Sequence, residues 1–322
     1  MVMIKLSDLI PVNLLEEKAQ FMAADGHYNP QFTYRKIINR DQLTRYGFPR
    51  WRYLRLAKKI VKFAQNNQLF DKKPIKQTLD QNTLKHLVNQ YLADYQLEHK
   101  YQVIFDKNFV SRFAVNFKDN SIKIRLPINL SLKEMPSVLN HEIGTHILRQ
   151  ENYLQQPWYK KRKRYGFRDH LSTEEGLAVI HSHLNQQEKS VAKTALMYWG
   201  TQVALRHSFA DTYSFFYHYL NDSDKAWNYT FKLKRGLTDT GRHLAFTKSI
   251  NYFEGLLKVL NYLKKHQYDP SNLYYGKLNL ADIKRAKKFN PDYQPLLPKF
   301  YTADPTNYRQ QVQLIAKANF IT

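Results

Sequence analysis

The chain has 322 residues and no cysteine. That absence excludes disulfides, thiolate metal sites and a cysteine nucleophile, and it leaves histidine and carboxylates to hold any metal. It also accords with a reducing compartment. No stretch approaches the roughly 18 consecutive apolar residues of a bilayer-spanning helix. Met1 to Asp8 carries an early acid and lacks the apolar run and small-residue cleavage site of a secretory leader. A soluble, cytoplasmic protein is therefore expected. Acidic residues are scarce, with 27 Asp and Glu against 50 Lys and Arg, a formal charge of +23. Such a balance spreads positive potential over the surface and attracts acidic partners. The basic clusters at Lys160 to Arg164, Lys232 to Arg235 and Lys284 to Lys288 are distributed along the chain, and no nucleic-acid module accompanies them. Solvated surface and an acidic polypeptide substrate are thus both favoured over nucleic acid.

What is present is ample for a core, since 43% of residues are hydrophobic. Apolar residues three and four apart predict helices over 14–24, 51–66 and 78–97, separated by turn signals at Gly26, Asn29-Pro30, Gly47, Pro49 and Pro74. The period then changes. Tyr101 to Phe105 is a short apolar run, and alternation at Phe113, Val115 and Phe117, then Ile122, Ile124 and Leu126, predicts a hairpin turning at Lys118 to Ser121. Ser131 with Glu134 reads as a capping box opening a helix. Helical spacing continues over 173–187, 191–220 and 247–266, whereas the prolines at 291, 295, 298 and 305 predict an irregular C-terminal wrap. No domain boundary stands out. The expectation is one domain over 1–322, with a helical part to about residue 100, a sheet and catalytic helices over 101–290, and the wrap after it. Its class is α+β, mostly helical, with a small antiparallel sheet before the helix that carries the chemistry.

That helix contains His141-Glu142-Ile143-Gly144-Thr145-His146. Zinc-peptidase helices commonly space their histidines four apart; here the separation is five. In a regular α-helix, positions four apart sit about 40° apart around the axis, and positions five apart about 140°. A single π-type insertion lets five residues cover the angle of four, and Gly144 tolerates the distortion. Two imidazoles and a carboxylate suit a catalytic zinc with an open position for water. Thr173-Glu174-Glu175-Gly176 supplies two acids at the start of a later helix. Adjacent helical residues point to different sides, so one of them faces the metal, and spacing does not choose between them.

The chain resembles the microtubule-associated tyrosine carboxypeptidases and their bacterial QEGLA-motif relatives. The resemblance rests on HEIGTHILR at 141–149, QPW at 156–158, YGF at 165–167, STEEGLAVIHS at 172–182, KRGLTDT at 234–240 and FTKSINYFEG at 246–255. Segments at 11–21, 28–34 and 274–283 are similar as well, so it spans nearly the whole chain. It implies a zincin-like metallopeptidase fold and one Zn2+ per chain, held by His141, His146 and Glu175, with Glu142 as catalytic base. It implies removal of a C-terminal tyrosine from a peptide or protein tail, with Arg235, Lys248 and Tyr252 as candidates to hold the substrate's end. The chain departs from the family's common pattern at Glu151-Asn152 and at Lys248-Ser249. The second departure removes an acid beside the expected pocket and could alter side-chain preference. The alternative is an inactive or metal-free relative that binds an acidic protein or nucleic acid, but an intact Glu142 has no use in a binding module.

Overall fold

The computed structural model describes residues 6–70, 79–107, 112–128 and 130–321. Met1 to Lys5, the turn signal at Pro74 and the expected helix start at Thr78 lie outside them. Two compact units emerge, each built from two separate stretches: Met1–Lys72 with Ser190–Phe253, and Lys73–Lys189 with Glu254–Thr322.

In the first unit the helices Leu14–Ala23 and Trp51–Asn66 form where the periodicity places them. The second packs on the helix Ala192–Ala204. A ring cluster of Phe21, Phe32, Phe209, Trp227 and Phe231, in edge-on and tilted contacts, fills the interior. The expected single helix over 191–220 is instead two, Ala192–Ala204 and Phe209–Leu220. Ser208 and Asp211 cap each other reciprocally and start the second afresh.

Lys234, from one of the basic clusters, is fully buried. Its ammonium donates to the carbonyls of Ala204, Arg242 and Leu244 at 2.9, 2.9 and 3.2 Å, and also to that of His207. It ties the end of one helix to the loop before Phe246. Lys234→Met should leave these carbonyls short of a donor and cost about 3 kcal/mol, read as a lower urea midpoint at unchanged slope. A midpoint equal to wild type would show that the clamp is dispensable.

The second unit holds the sheet. β1 (Gln102–Asp106), β2 (Phe113–Asn116) and β3 (Ser121–Arg125) are ordered β1-β3-β2. The hairpin β2–β3 is antiparallel as expected, but β1 pairs with β3 in parallel, Val103 opposite Ile122 and Phe105 opposite Ile124. The sheet is therefore mixed rather than antiparallel. β1 precedes the hairpin and enters in the same direction as β3, and parallel pairing has no turn of its own to mark it in sequence. β2 is left at the sheet edge, against the turn that carries Glu142 to Ile147.

The C-terminal segment is not an irregular wrap. It forms the helices Lys299–Thr302 and Pro305–Ala318, the latter capped by the Asp304 side chain with Pro305 in its first turn. Proline lacks an N–H that the first turn does not need, so it begins helices as readily as it ends them.

Candidate metal centre

The helix Met135–His141 continues as a π-helical turn, Glu142–Ile147, before α geometry resumes at Leu148–Leu154. The five-residue spacing is thus absorbed by a wide turn, as the sequence requires. Such a turn leaves carbonyls short of intrahelical partners. Two are met by side chains: Thr145 Oγ1 donates to Asn140 O at 2.9 Å, and Tyr274 OH to Gly144 O at 2.5 Å. Since the single Thr145 hydroxyl proton is committed to Asn140, its oxygen accepts from His181 Nδ1 at 2.8 Å. His181 Nε2 then accepts from Tyr308 OH at 3.1 Å. Burial holds His181 well below its ordinary pKa and keeps it neutral, as this pattern demands. Gly144 is needed for space as much as for flexibility. A Cβ there would lie 2.6 Å from Phe300 and 2.9 Å from the Tyr91 hydroxyl.

The wide turn brings the two imidazoles to a centroid separation of 5.0 Å. The helix Leu171–Ser182 packs beside it and presents Glu175, whose Oε2 is 3.8 Å from His146 Nε2. One donor atom each from His141, His146 and Glu175 lies within 4.8 Å of the others, a grouping that could hold a metal ion. Glu142 is at the edge of this group, with Oε1 4.0 Å from His141 Nε2.

Glu174 turns away from the ligand set and is the hub of a buried charge cluster. Its Oε1 faces His146 Nδ1 at 3.0 Å and Lys277 Nζ at 3.1 Å. Its Oε2 lies 3.5 Å from both Arg149 Nη1 and His170 Nε2. Burial alone would push this carboxyl up, but Lys277, the His146 bond, Arg149 and His170 hold it well below the usual carboxylate range. An ionised Glu174 accepts the Nδ1 proton of His146 and directs Nε2 toward the ligand group, as partners of metal-binding histidines commonly do. Arg149 is itself fully buried and donates to the carbonyls of Leu273, Gly276 and Leu278. It thereby anchors the segment carrying Lys277. His170, lowered to about 4 by burial, is neutral and receives a bond from Arg162 on Nδ1, which leaves its Nε2 proton for Glu174.

Glu175 is positioned by contact of backbone with backbone. A Cβ on Gly176 would lie 2.1 Å from the carbonyl carbon of Gly255, and one on Gly255 would lie 2.0 Å from Ser172 O. Only two glycines permit the helices to meet this closely.

A family model described as microtubule-associated tyrosine carboxypeptidase matches residues 40–321. The chain belongs to that family. Microtubule-associated tyrosine carboxypeptidase 1 from Rattus norvegicus is 29% identical over 320 residues, covering 97% of this chain and 68% of the relative. The proteins of that name from Homo sapiens and Mus musculus are each 29% identical as well, covering 97% of this chain and 67% and 68% of their own lengths.

In this family member the three candidate substrate residues all fall in the first unit and lie close together. Arg235 stacks its guanidinium 5.0 Å over the Phe246 ring, and its Nε is buried without a hydrogen-bond partner. Burial lowers its pKa, with Tyr252, Tyr34 and Tyr46 near enough to oppose the effect. Lys248 Nζ lies 5.9 Å over the Tyr252 ring. Sequence reasoning missed the Glu174 hub with Arg149 and Lys277. Its one visible signal was that both cations sit inside segments that carry the family resemblance, Arg149 in 141–149 and Lys277 in 274–283. Among the described residues, no helix is long and apolar enough to cross a membrane.

Proposed function

We propose that the chain is a zinc-dependent, zincin-like carboxypeptidase that removes a C-terminal aromatic residue, tyrosine first, from a peptide or protein tail. The observation that carries this reading is the π-helical turn that converges His141, His146 and Glu175. Two neutral imidazoles and a carboxylate, in a chain without thiols, are the donor set of a catalytic zinc. Membership of a family whose relatives are named tyrosine carboxypeptidases supplies the reaction class.

The chemistry zinc brings to such a set is Lewis acidity, which polarises a carbonyl and makes water nucleophilic near neutral pH. Glu142 Oε1 takes the proton of the attacking water and returns it to the departing nitrogen. Glu174 keeps the His146 tautomer fixed throughout. β2, an edge strand beside the catalytic turn, is assigned to pair through its unpaired backbone side with an extended peptide. The substrate's terminal carboxylate is assigned to Arg235, with Lys248 and Tyr252 beside it, because a guanidinium fork matches a carboxylate.

The reading is tested with one acidic peptide ending in Tyr, offered with a free or an amidated C-terminus. The free peptide should lose only its last residue, and the amidated one should survive. Internal cleavage of the amidated peptide would show an endopeptidase and remove the role given to Arg235, Lys248 and Tyr252.

Metal uptake should also depend on pH in a particular way. Burial lowers the His141 pKa, so it offers its lone pair throughout the neutral range. Burial acts the same way on His146, but the Glu174 bond and the surrounding carboxylates outweigh it and raise its pKa above 6.5. Below that raised value His146 is an imidazolium and zinc must displace its proton. Apparent affinity should therefore be full above it and fall by about tenfold per pH unit below it. Calorimetry in buffers of different ionisation heat should show proton release on zinc binding that grows as pH falls through the raised His146 value. Release that does not change across that range would show that His146 does not titrate there.

A further inference from the structure

The C-terminal helices reach the catalytic turn through two buried contacts. Phe300, in the helix Lys299–Thr302, fills the space that a side chain at Gly144 would need. Tyr308, in the helix Pro305–Ala318, is fully buried, and its hydroxyl donates to His181 Nε2 at 3.1 Å across 127 residues of chain. Burial pushes that hydroxyl above its ordinary pKa, so it stays a donor. His181 is also buried and neutral, and carries one ring proton. With Nε2 accepting from Tyr308, the proton sits on Nδ1 and goes to Thr145 Oγ1 at 2.8 Å. Thr145 then directs its own proton to Asn140 O at 2.9 Å. Asn140 is the residue before His141, and Thr145 is the residue before His146. The last bond of the chain therefore clasps the same five-residue span that separates the two histidines.

We propose that Tyr308 is a positioning residue for the metal centre: it fixes the His181 tautomer and, through Thr145, sets the span between His141 and His146. The proposal rests on the metallopeptidase reading above. If His181 held its proton on Nε2, its Nδ1 would become an acceptor and draw the Thr145 proton away from Asn140 O. The carbonyl that opens the wide turn would lose that donor, a cost that buried backbone groups seldom bear. Tyr308 would have to accept instead, and its own proton would no longer have His181 to receive it. The arrangement with Nδ1 protonated is thus the one that satisfies every member of the chain, and the Tyr308 hydroxyl selects it. Tyr308 touches neither ligand nor substrate in this account and acts only through His181 and Thr145.

The first arm of the test needs no variant. Long-range proton–nitrogen spectra of the zinc-loaded protein, with its histidines labelled with nitrogen-15, should show His181 protonated on Nδ1 and bare on Nε2. The opposite tautomer would overturn the proposal. Tyr308→Phe keeps the ring and removes the donor. Its zinc affinity, read by competition with a chelator, should fall about tenfold, the low end of what partners behind metal-binding histidines contribute. At saturating zinc its kcat should fall severalfold while KM stays within about twofold, because none of these residues is assigned to the peptide. Thr145→Val should lose at least as much zinc affinity, whereas Thr145→Ser, which keeps the hydroxyl, should stay within about twofold of wild type. Tyr308→Phe combined with Thr145→Val should bind zinc no more weakly than Thr145→Val alone, since both cut one chain of bonds. Additive losses would assign both effects to general loosening and overturn the proposal. Tyr301→Phe, which removes a hydroxyl bond to Asp269 at 3.0 Å from the same C-terminal stretch, is the control. It should leave zinc affinity unchanged, and a loss equal to that of Tyr308→Phe would also overturn the proposal. Failure of the carboxypeptidase reading would appear separately, as wild type that binds zinc and releases no tyrosine, with the tautomer and the affinities still readable.

Discussion

Glu142→Gln is expected to retain fold and one zinc per chain while lowering kcat for tyrosine release by at least about 10³-fold. The amide keeps the length and shape of the side chain beside His141 but cannot take a proton from water, and general-base catalysis commonly supplies factors of about 10² to 10⁴. Glu142 lies outside the three-donor group, so metal content should not follow activity downward. KM should move little, because no ground-state contact with the peptide is assigned to this carboxylate. Single-turnover kinetics with metal analysis of the same sample checks both parts. Turnover equal to wild type would place the base elsewhere.

Gly176→Ala should damage the centre without touching a ligand. A methyl group 2.1 Å from the Gly255 carbonyl carbon cannot be accommodated by a side-chain shift, since backbone lies on both sides of the contact. The helix Leu171–Ser182 must move away and carry Glu175, the preceding residue, with it. Overpacking of this kind costs about 3 kcal/mol or more. A displacement of about an ångström at a catalytic group is worth roughly 10²-fold in rate. Weaker zinc binding, a lower thermal midpoint and reduced kcat should therefore appear together. A variant with wild-type zinc affinity would mean that the Gly176–Gly255 contact does not set the position of Glu175.

The extent to which the sequence was legible follows the range of the forces involved. The π-helical turn was readable because two histidines five apart admit one local solution. The helices Leu14–Ala23 and Trp51–Asn66 were readable from their own periodicity. The break at Ser208 was also local, but the apolar spacing of 191–220 masked its capping box. The proline-rich tail misled because proline both ends helices and starts them, and only the Asp304 cap distinguishes the two. Pairing of β1 with β3 and the Gly176–Gly255 contact join segments far apart in the chain, and neither has a local signature. The choice between Glu174 and Glu175 was open to spacing and rested on resemblance. Geometry gives both a place: Glu175 within the donor group, and Glu174 behind His146. Basic residues that look alike in sequence separate in the same way, with Lys234 buried as a clamp and Lys160 to Lys163 largely exposed.

The central claim is that His141, His146 and Glu175 hold one zinc. Elemental analysis of protein produced with ample metal tests it most directly, comparing wild type with His146→Ala and Glu175→Ala. The account predicts one zinc per wild-type chain and its loss from both variants after dialysis against a weak chelator. Wild type without zinc, or a His146→Ala variant that keeps a full equivalent, would contradict it.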